Sequence, residues 1–143
     1  MDQVPVIDTH QHLWDLDLFE LPWLQLPGMD VLRRSFRMSD YLEATRNCPV
    51  AKTVYMEVNV HPDLHPKEAR YVLELCAQSD NPMSGAVIGG QPGEAGFESY
   101  LAEFLGNPFL KGVRSILHDP DRPRGMCLTP QFKQNIQLLG QHD

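Results

Sequence analysis

Four times along the chain, an apolar run rich in β-branched residues gives way to an apolar stripe at helical spacing. This alternation limits the fold more than any other feature of the sequence. Residues 4–13 read as the first strand and residues 51–60, Ala-Lys-Thr-Val-Tyr-Met-Glu-Val-Asn-Val, as the second. Residues 83–90 give a short apolar third strand that runs into glycines, and residues 109–118 give the fourth. A long Pro- and Gly-bearing loop over 14–38 follows the first strand, and Ser39 is placed to cap a short helix over 40–47 that Pro49 closes. After the second strand, Asp63 or His65 is placed to cap a helix with Pro66 in its first turn. Ala69, Val72, Leu73 and Cys76 then fall on one helical face. Phe97, Tyr100, Leu101, Phe104 and Leu105 form a second stripe, with Gly106 at the C′ position. Thr129-Pro130 starts a last helix whose apolar face is expected to be Phe132, Ile136 and Leu139.

Four β/α units in series imply a parallel sheet with right-handed crossovers. The doubly wound sheet and the β/α barrel both satisfy that pattern, and in each the ligand chemistry collects at the C-terminal ends of the strands. Composition removes other classes. With 42% hydrophobic and 22% charged residues over 143 positions, the chain should fold around a core as one unit, 1–143. A net charge of -7 argues against nucleic acid or an anionic membrane as partner. No apolar run approaches the roughly 20 residues of a membrane span. The opening Met1-Asp2-Gln3-Val4-Pro5 has neither a basic patch nor an apolar stretch, so the expectation is a cytoplasmic protein. Cys48, Cys76 and Cys127 are too few and too scattered for a disulfide framework, and read as buried or half-buried free thiols.

The strand ends carry the chemistry. His10 and His12 close the first strand, and residues two apart on a strand point the same way, as two ligands of one metal must. Asp8 shares their parity and is placed to orient a histidine ring. Glu57 is an acid inside an apolar strand, with Tyr55 and Asn59 on its face. Arg114, in Lys111-Gly112-Val113-Arg114-Ser115-Ile116-Leu117-His118, needs a carboxylate in such surroundings. That partner is either a substrate acid or an internal one, Glu57 or Asp8. His118 has the parity of Arg114 and is a further candidate for the same cavity. His61 and His65 read as solvated or capping, and His142 as incidental. The glycines of Gly85-Ala86-Val87-Ile88-Gly89-Gly90 lack dinucleotide spacing and read as points of close approach. No G-x-S-x-G elbow is present.

The run Val6-Ile7-Asp8-Thr9-His10-Gln11-His12-Leu13-Trp14-Asp15 resembles the opening of the amidohydrolase-related family, amidohydrolase 2 type, in its lactonase-like branch. The stretch from Asn107 to His118 is similar to that branch's fourth strand. The resemblance spans essentially the whole chain. It implies the N-terminal half, four β/α units, of a TIM-type (β/α)8 barrel of the metal-dependent hydrolase kind. It also implies catalytic and metal-binding roles for His10 and His12, with one divalent metal such as zinc. In some lactonases the pair instead holds substrate with no obligatory metal. Arg114, with Glu57 and His118, would bind a lactone or carboxylic acid substrate, which activated water opens. The family's later histidine and its general-base aspartate match nothing here. The expectations are therefore an incomplete, truncated barrel and self-association through open sheet edges. A non-catalytic remnant or a decarboxylase of the wider family are the alternatives.

Overall fold

The computed structural model describes residues 4–119 and 122–142, so Met1–Gln3 lie outside it. Four parallel strands form one sheet in the order β1-β2-β3-β4. They are β1 (Val6–Gln11), β2 (Val50–Met56), β3 (Met83–Gly89) and β4 (Leu110–Arg114). The helices are α1 (Met38–Thr45), α2 (His65–Ala77), α3 (Phe97–Ala102) and α4 (Pro130–Leu139). The alternation predicted from sequence is the observed one, with every strand shorter than expected. Among the described residues, no helix is long and apolar enough to cross a membrane.

The central strands, β2 and β3, carry the buried face. On β2, Thr53 and Tyr55 are buried while Val54 and Met56 are half-exposed, the alternation that a pleat imposes. Ala69, Val72, Leu73 and Cys76 of α2 are all buried in one cluster with Tyr55, Ala86 and Ile88. The segment between β1 and α1 belongs to the same core. Trp14, Phe19, Leu21 and Leu24 are buried, and Trp14 pairs backbone to backbone with Phe36. Ile88 is fully buried at the centre of this cluster. Ile88→Ala is expected to cost about 3–4 kcal/mol, the range for emptying a tightly packed aliphatic site. Urea unfolding measures this, and a loss under ~1 kcal/mol would contradict the packing described.

Helix ends show where local signals held and where packing overrode them. Thr129 Oγ1 accepts from the Phe132 amide at 3.3 Å with Pro130 in the first turn, as predicted. Gly106 has a left-handed φ of 85°, but α3 ends at Ala102 with Glu103 as its C-cap, so Gly106 closes the turn after the helix and is not at C′. Ser39 is not a cap. The helix starts two residues earlier, because the Asp40 carboxylate reaches back to the Arg37 amide at 2.8 Å. Neither Asp63 nor His65 caps α2. His61 caps the short turn Pro62–Leu64 instead, its Nδ1 accepting from the Asp63 amide at 3.4 Å. His65 is buried, not solvated. On α4, Phe132 is buried but Ile136 is 44% exposed. Asn135 turns inward in its place, donating to the Pro92 and Glu94 carbonyls at 2.7 and 3.2 Å. The buried Pro92 carbonyl needs a donor, and that need, with the bond to Glu94, decides the helix's rotation. Cys48 is exposed, contrary to expectation, while Cys76 is buried and Cys127 intermediate.

Candidate active site at the strand ends

β1 delivers two imidazoles to one point. Gln11 and Leu13 are buried, and the residues alternating with them, His10 and His12, emerge on the open side. Their Nε2 atoms stand 3.1 Å apart and the rings meet edge to face. His12 Nδ1 lies 2.9 Å from the Met56 carbonyl oxygen at the end of β2. A carbonyl can only accept, so Nδ1 carries the proton and Nε2 keeps its lone pair. His10 Nε2 then donates to it. Crowding by the surrounding protein, with the nearby His10 and Arg114, pushes the His12 pKa down against the pull of the Met56 carbonyl. A neutral ring with an unprotonated Nε2 held in one direction is the form that binds metal.

Glu57 and Arg114 face this pair. Glu57 lies just past β2 and is 2% exposed, and its Oε1 is 3.1 Å from Arg114 NH1. Burial raises its pKa, while the Asn59 amide and the Arg114 charge draw it part of the way back. Of the internal partners read from sequence for Arg114, the structure selects Glu57. Asp8 is engaged elsewhere. Its Oδ1 accepts from the His10 backbone amide at 3.0 Å and its Oδ2 from the Tyr41 hydroxyl at 2.9 Å. The predicted role of Asp8 in orienting a ring is therefore corrected: the Met56 carbonyl fixes His12, and Asp8 braces the strand. β4 ends at Arg114, so pleat parity does not reach His118. His118 is exposed and reaches the cleft from the connection after the strand.

These groups border a cleft of about 960 Å³ whose walls include His12, Trp14, Trp23, Glu57, Asn59 and Arg114. Solved structures share the architecture. An amidohydrolase from Burkholderia multivorans, solved with bound zinc, superposes over 96% of this chain and 46% of its own, with a TM-score of 0.73 and 24% identity. The chain has the fold of half an amidohydrolase barrel. A probable 2-pyrone-4,6-dicarboxylic acid hydrolase from Acinetobacter baumannii, with citric acid bound, matches over 92% of this chain and 44% of its own at a TM-score of 0.62 and 14% identity. An uncharacterized protein, y4mH of Sinorhizobium fredii, is 22% identical over 97% of this chain. The chain spans about half (51%) the length of that curated relative. No family model matches the sequence.

Two nitrogens bound at about 2.0–2.1 Å to one ion, at right-angle to tetrahedral spacing, lie roughly 2.8–3.4 Å apart. The Nε2 separation of 3.1 Å falls inside that range. That distance suits two ligands of one ion and equally suits the hydrogen bond that the rings share. Among the described residues no cluster of three His, Cys, Asp or Glu surrounds one point. Sequence reasoning missed three parts of this site. The Met56 carbonyl carries no residue-type signal. Trp23, whose Nε1 donates to the Val58 carbonyl at 2.7 Å, sits in what reads as a connecting loop. Glu68, on the inward face of α2, accepts from the Tyr55 hydroxyl at 2.8 Å and the Val58 amide at 3.0 Å. An acid at i+3 from His65 within an apolar stripe was the only available hint.

Proposed function

We propose that this chain supplies the metal-holding and acid-recognising half of a hydrolase site of the amidohydrolase type, acting on a lactone. The observation that carries this reading is the approach of the two Nε2 atoms to 3.1 Å, with His12 fixed by the Met56 carbonyl. His10 and His12 would hold one divalent ion, zinc being the ion in the Burkholderia structure. Such an ion polarises a carbonyl and acidifies bound water. Arg114 is held by the Glu57 carboxylate and by the Glu57 carbonyl, at 3.1 and 3.2 Å from NH1. With NH1 so engaged, the rest of the fork offers donors for a substrate carboxylate at the cleft. Glu57 keeps that cation from facing an apolar wall unpaired. Trp14 and Trp23 give the cleft flat apolar walls suited to a planar ring.

The remaining ligand and the base that deprotonates water would come from the other half of such a barrel. The open edges of β1 and β4 are where that half, or a second copy of this chain, would pair. The test is hydrolysis of a panel of acidic lactones by this chain co-expressed with a half-barrel carrying the later strands of such a hydrolase. Zinc-dependent turnover is expected, with His10→Ala reducing it at least a hundredfold, since a lost ligand removes the activated water. Equal turnover by that variant would rule out the metal-holding role. A pair that binds citrate, the acid in the Acinetobacter structure, but turns nothing over would favour a binding domain.

A further inference from the structure

The exit of β2 is pinned by side chains from four directions. His12 meets the Met56 carbonyl at 2.9 Å, Arg114 the Glu57 carbonyl at 3.2 Å, Glu68 the Val58 amide at 3.0 Å and Trp23 the Val58 carbonyl at 2.7 Å. The Glu57 carboxylate then accepts from the Asn59 amide at 2.7 Å. Two of these five side chains, Glu57 and Glu68, are almost wholly buried. The residue they deliver is Asn59, which has a φ of 52° and is the only non-glycine at positive φ among the described residues. Left-handed backbone at such a residue persists only where its surroundings over-determine it, and it concentrates at functional sites.

Glycine would satisfy that backbone without strain. Asparagine accepts it better than most residues and adds a carboxamide. Asn59 is among the residues that line the cleft, with Trp14, Trp23 and Arg114, and among the described residues its carboxamide makes no hydrogen bond. The hydrogen bonds that hold residues 56–59 thus fall on their backbone, the Glu57 carboxylate is ion-paired with Arg114, and the Asn59 carboxamide is left without a partner beside the cleft.

We propose that Asn59 is a specificity-determining residue, its carboxamide N–H donating to an oxygen of a carboxylic acid anchored on Arg114. This rests on the reading of the cleft as a site for a small acid. Trp14 and Trp23, the only tryptophans, both line the cleft, so intrinsic fluorescence reports on it directly. Citrate is the probe, titrated into the wild-type chain, Asn59→Gly, Asn59→Asp and Arg114→Gln, with each variant's fold checked by circular dichroism. The wild type should give a saturable change. Asn59→Gly, which keeps the backbone geometry, should bind about tenfold more weakly or worse, the usual effect of losing a hydrogen bond to a charged group. Asn59→Asp, unable to donate and bearing a like charge, should bind more weakly still. Wild-type affinity in Asn59→Gly or Asn59→Asp, with binding lost in Arg114→Gln, overturns the Asn59 role and leaves the acid-binding cleft standing. No saturable change in the wild type removes both.

Discussion

His12→Ala is expected to lower zinc affinity by at least about a hundredfold, more than removal of an orienting partner typically costs. The reason lies in how His12 is held. Its Nδ1–H is committed to the Met56 carbonyl at 2.9 Å, so the lone pair on Nε2 is fixed in direction before any ion arrives. His10 Nε2 stands 3.1 Å away and has only to give up the proton it shares with His12. Alanine at position 12 removes both the aimed donor and the partner that places His10. Zinc affinity of the wild type should also fall on acidification, because both rings must be neutral to coordinate. The His12 pKa is pushed below its ordinary value by burial, so proton competition at that ring begins below pH 6.5. Isothermal titration with zinc measures both effects. Unchanged affinity in His12→Ala would show that the two rings meet for structural reasons alone.

The second large effect is on stability and concerns a pair behind the cleft. Burial pushes the Glu68 pKa from 4.5 up to about 7, against the pull of the Val58 amide and Tyr55 hydroxyl. Burial likewise pushes His65 from 6.5 down to about 4. Both crowd Gly89, where a Cβ would lie 3.2 Å from His65 Nε2 and 3.3 Å from Glu68 Oε2. For Glu68, the folded state holds a proton that the unfolded chain releases between pH 4.5 and about 7. Its contribution therefore worsens as pH rises through that window, by about 3 kcal/mol. For His65, the unfolded chain takes up a proton that the folded state refuses, so stability falls as pH drops from 6.5 to about 4. The size is again about 3 kcal/mol.

The two slopes have opposite sign over nearly the same window, so in the wild type they cancel. Single substitutions should expose each one. Glu68→Gln keeps an oxygen for Tyr55 and Val58, and its stability should climb by about 3 kcal/mol from pH 4 to 6.5. His65→Gln should lose about as much between pH 4.5 and 7. Urea unfolding at pH 4, 5.5 and 7 resolves the three proteins. Parallel pH profiles for wild type and Glu68→Gln would mean that Glu68 is not held neutral.

Much of the fold was legible because its signals are local. Strands announced themselves by β-branched runs, and α2 by four apolar residues at i, i+3, i+4 and i+7, all of which are buried. Thr129-Pro130 acted as an end signal for the same reason: capping involves only neighbours in the chain. Errors came where a distant atom set the outcome. Ile136 lost its inward place to Asn135 because two carbonyls of the distant loop between β3 and α3 take donors from Asn135. Asp8 lost its expected role because Tyr41, thirty-three residues away, claimed one of its oxygens. His65 looked like a surface histidine before a helix until the sheet was seen to cover it.

By itself the sequence determined the order of four strands and four helices, the pairing of His10 with His12 on one side of a pleat, and the need of Arg114 for an acid. Periodicity and charge neutrality dictate those without reference to the rest of the molecule. Only the tertiary structure decided which acid Arg114 takes, which atom fixes the His12 ring, and that Asn59 is presented to the cleft. Those outcomes depend on where backbone carbonyls and amides of one strand end fall relative to side chains from other elements. A peptide group looks the same in every residue, so no pattern of residue types could have revealed it.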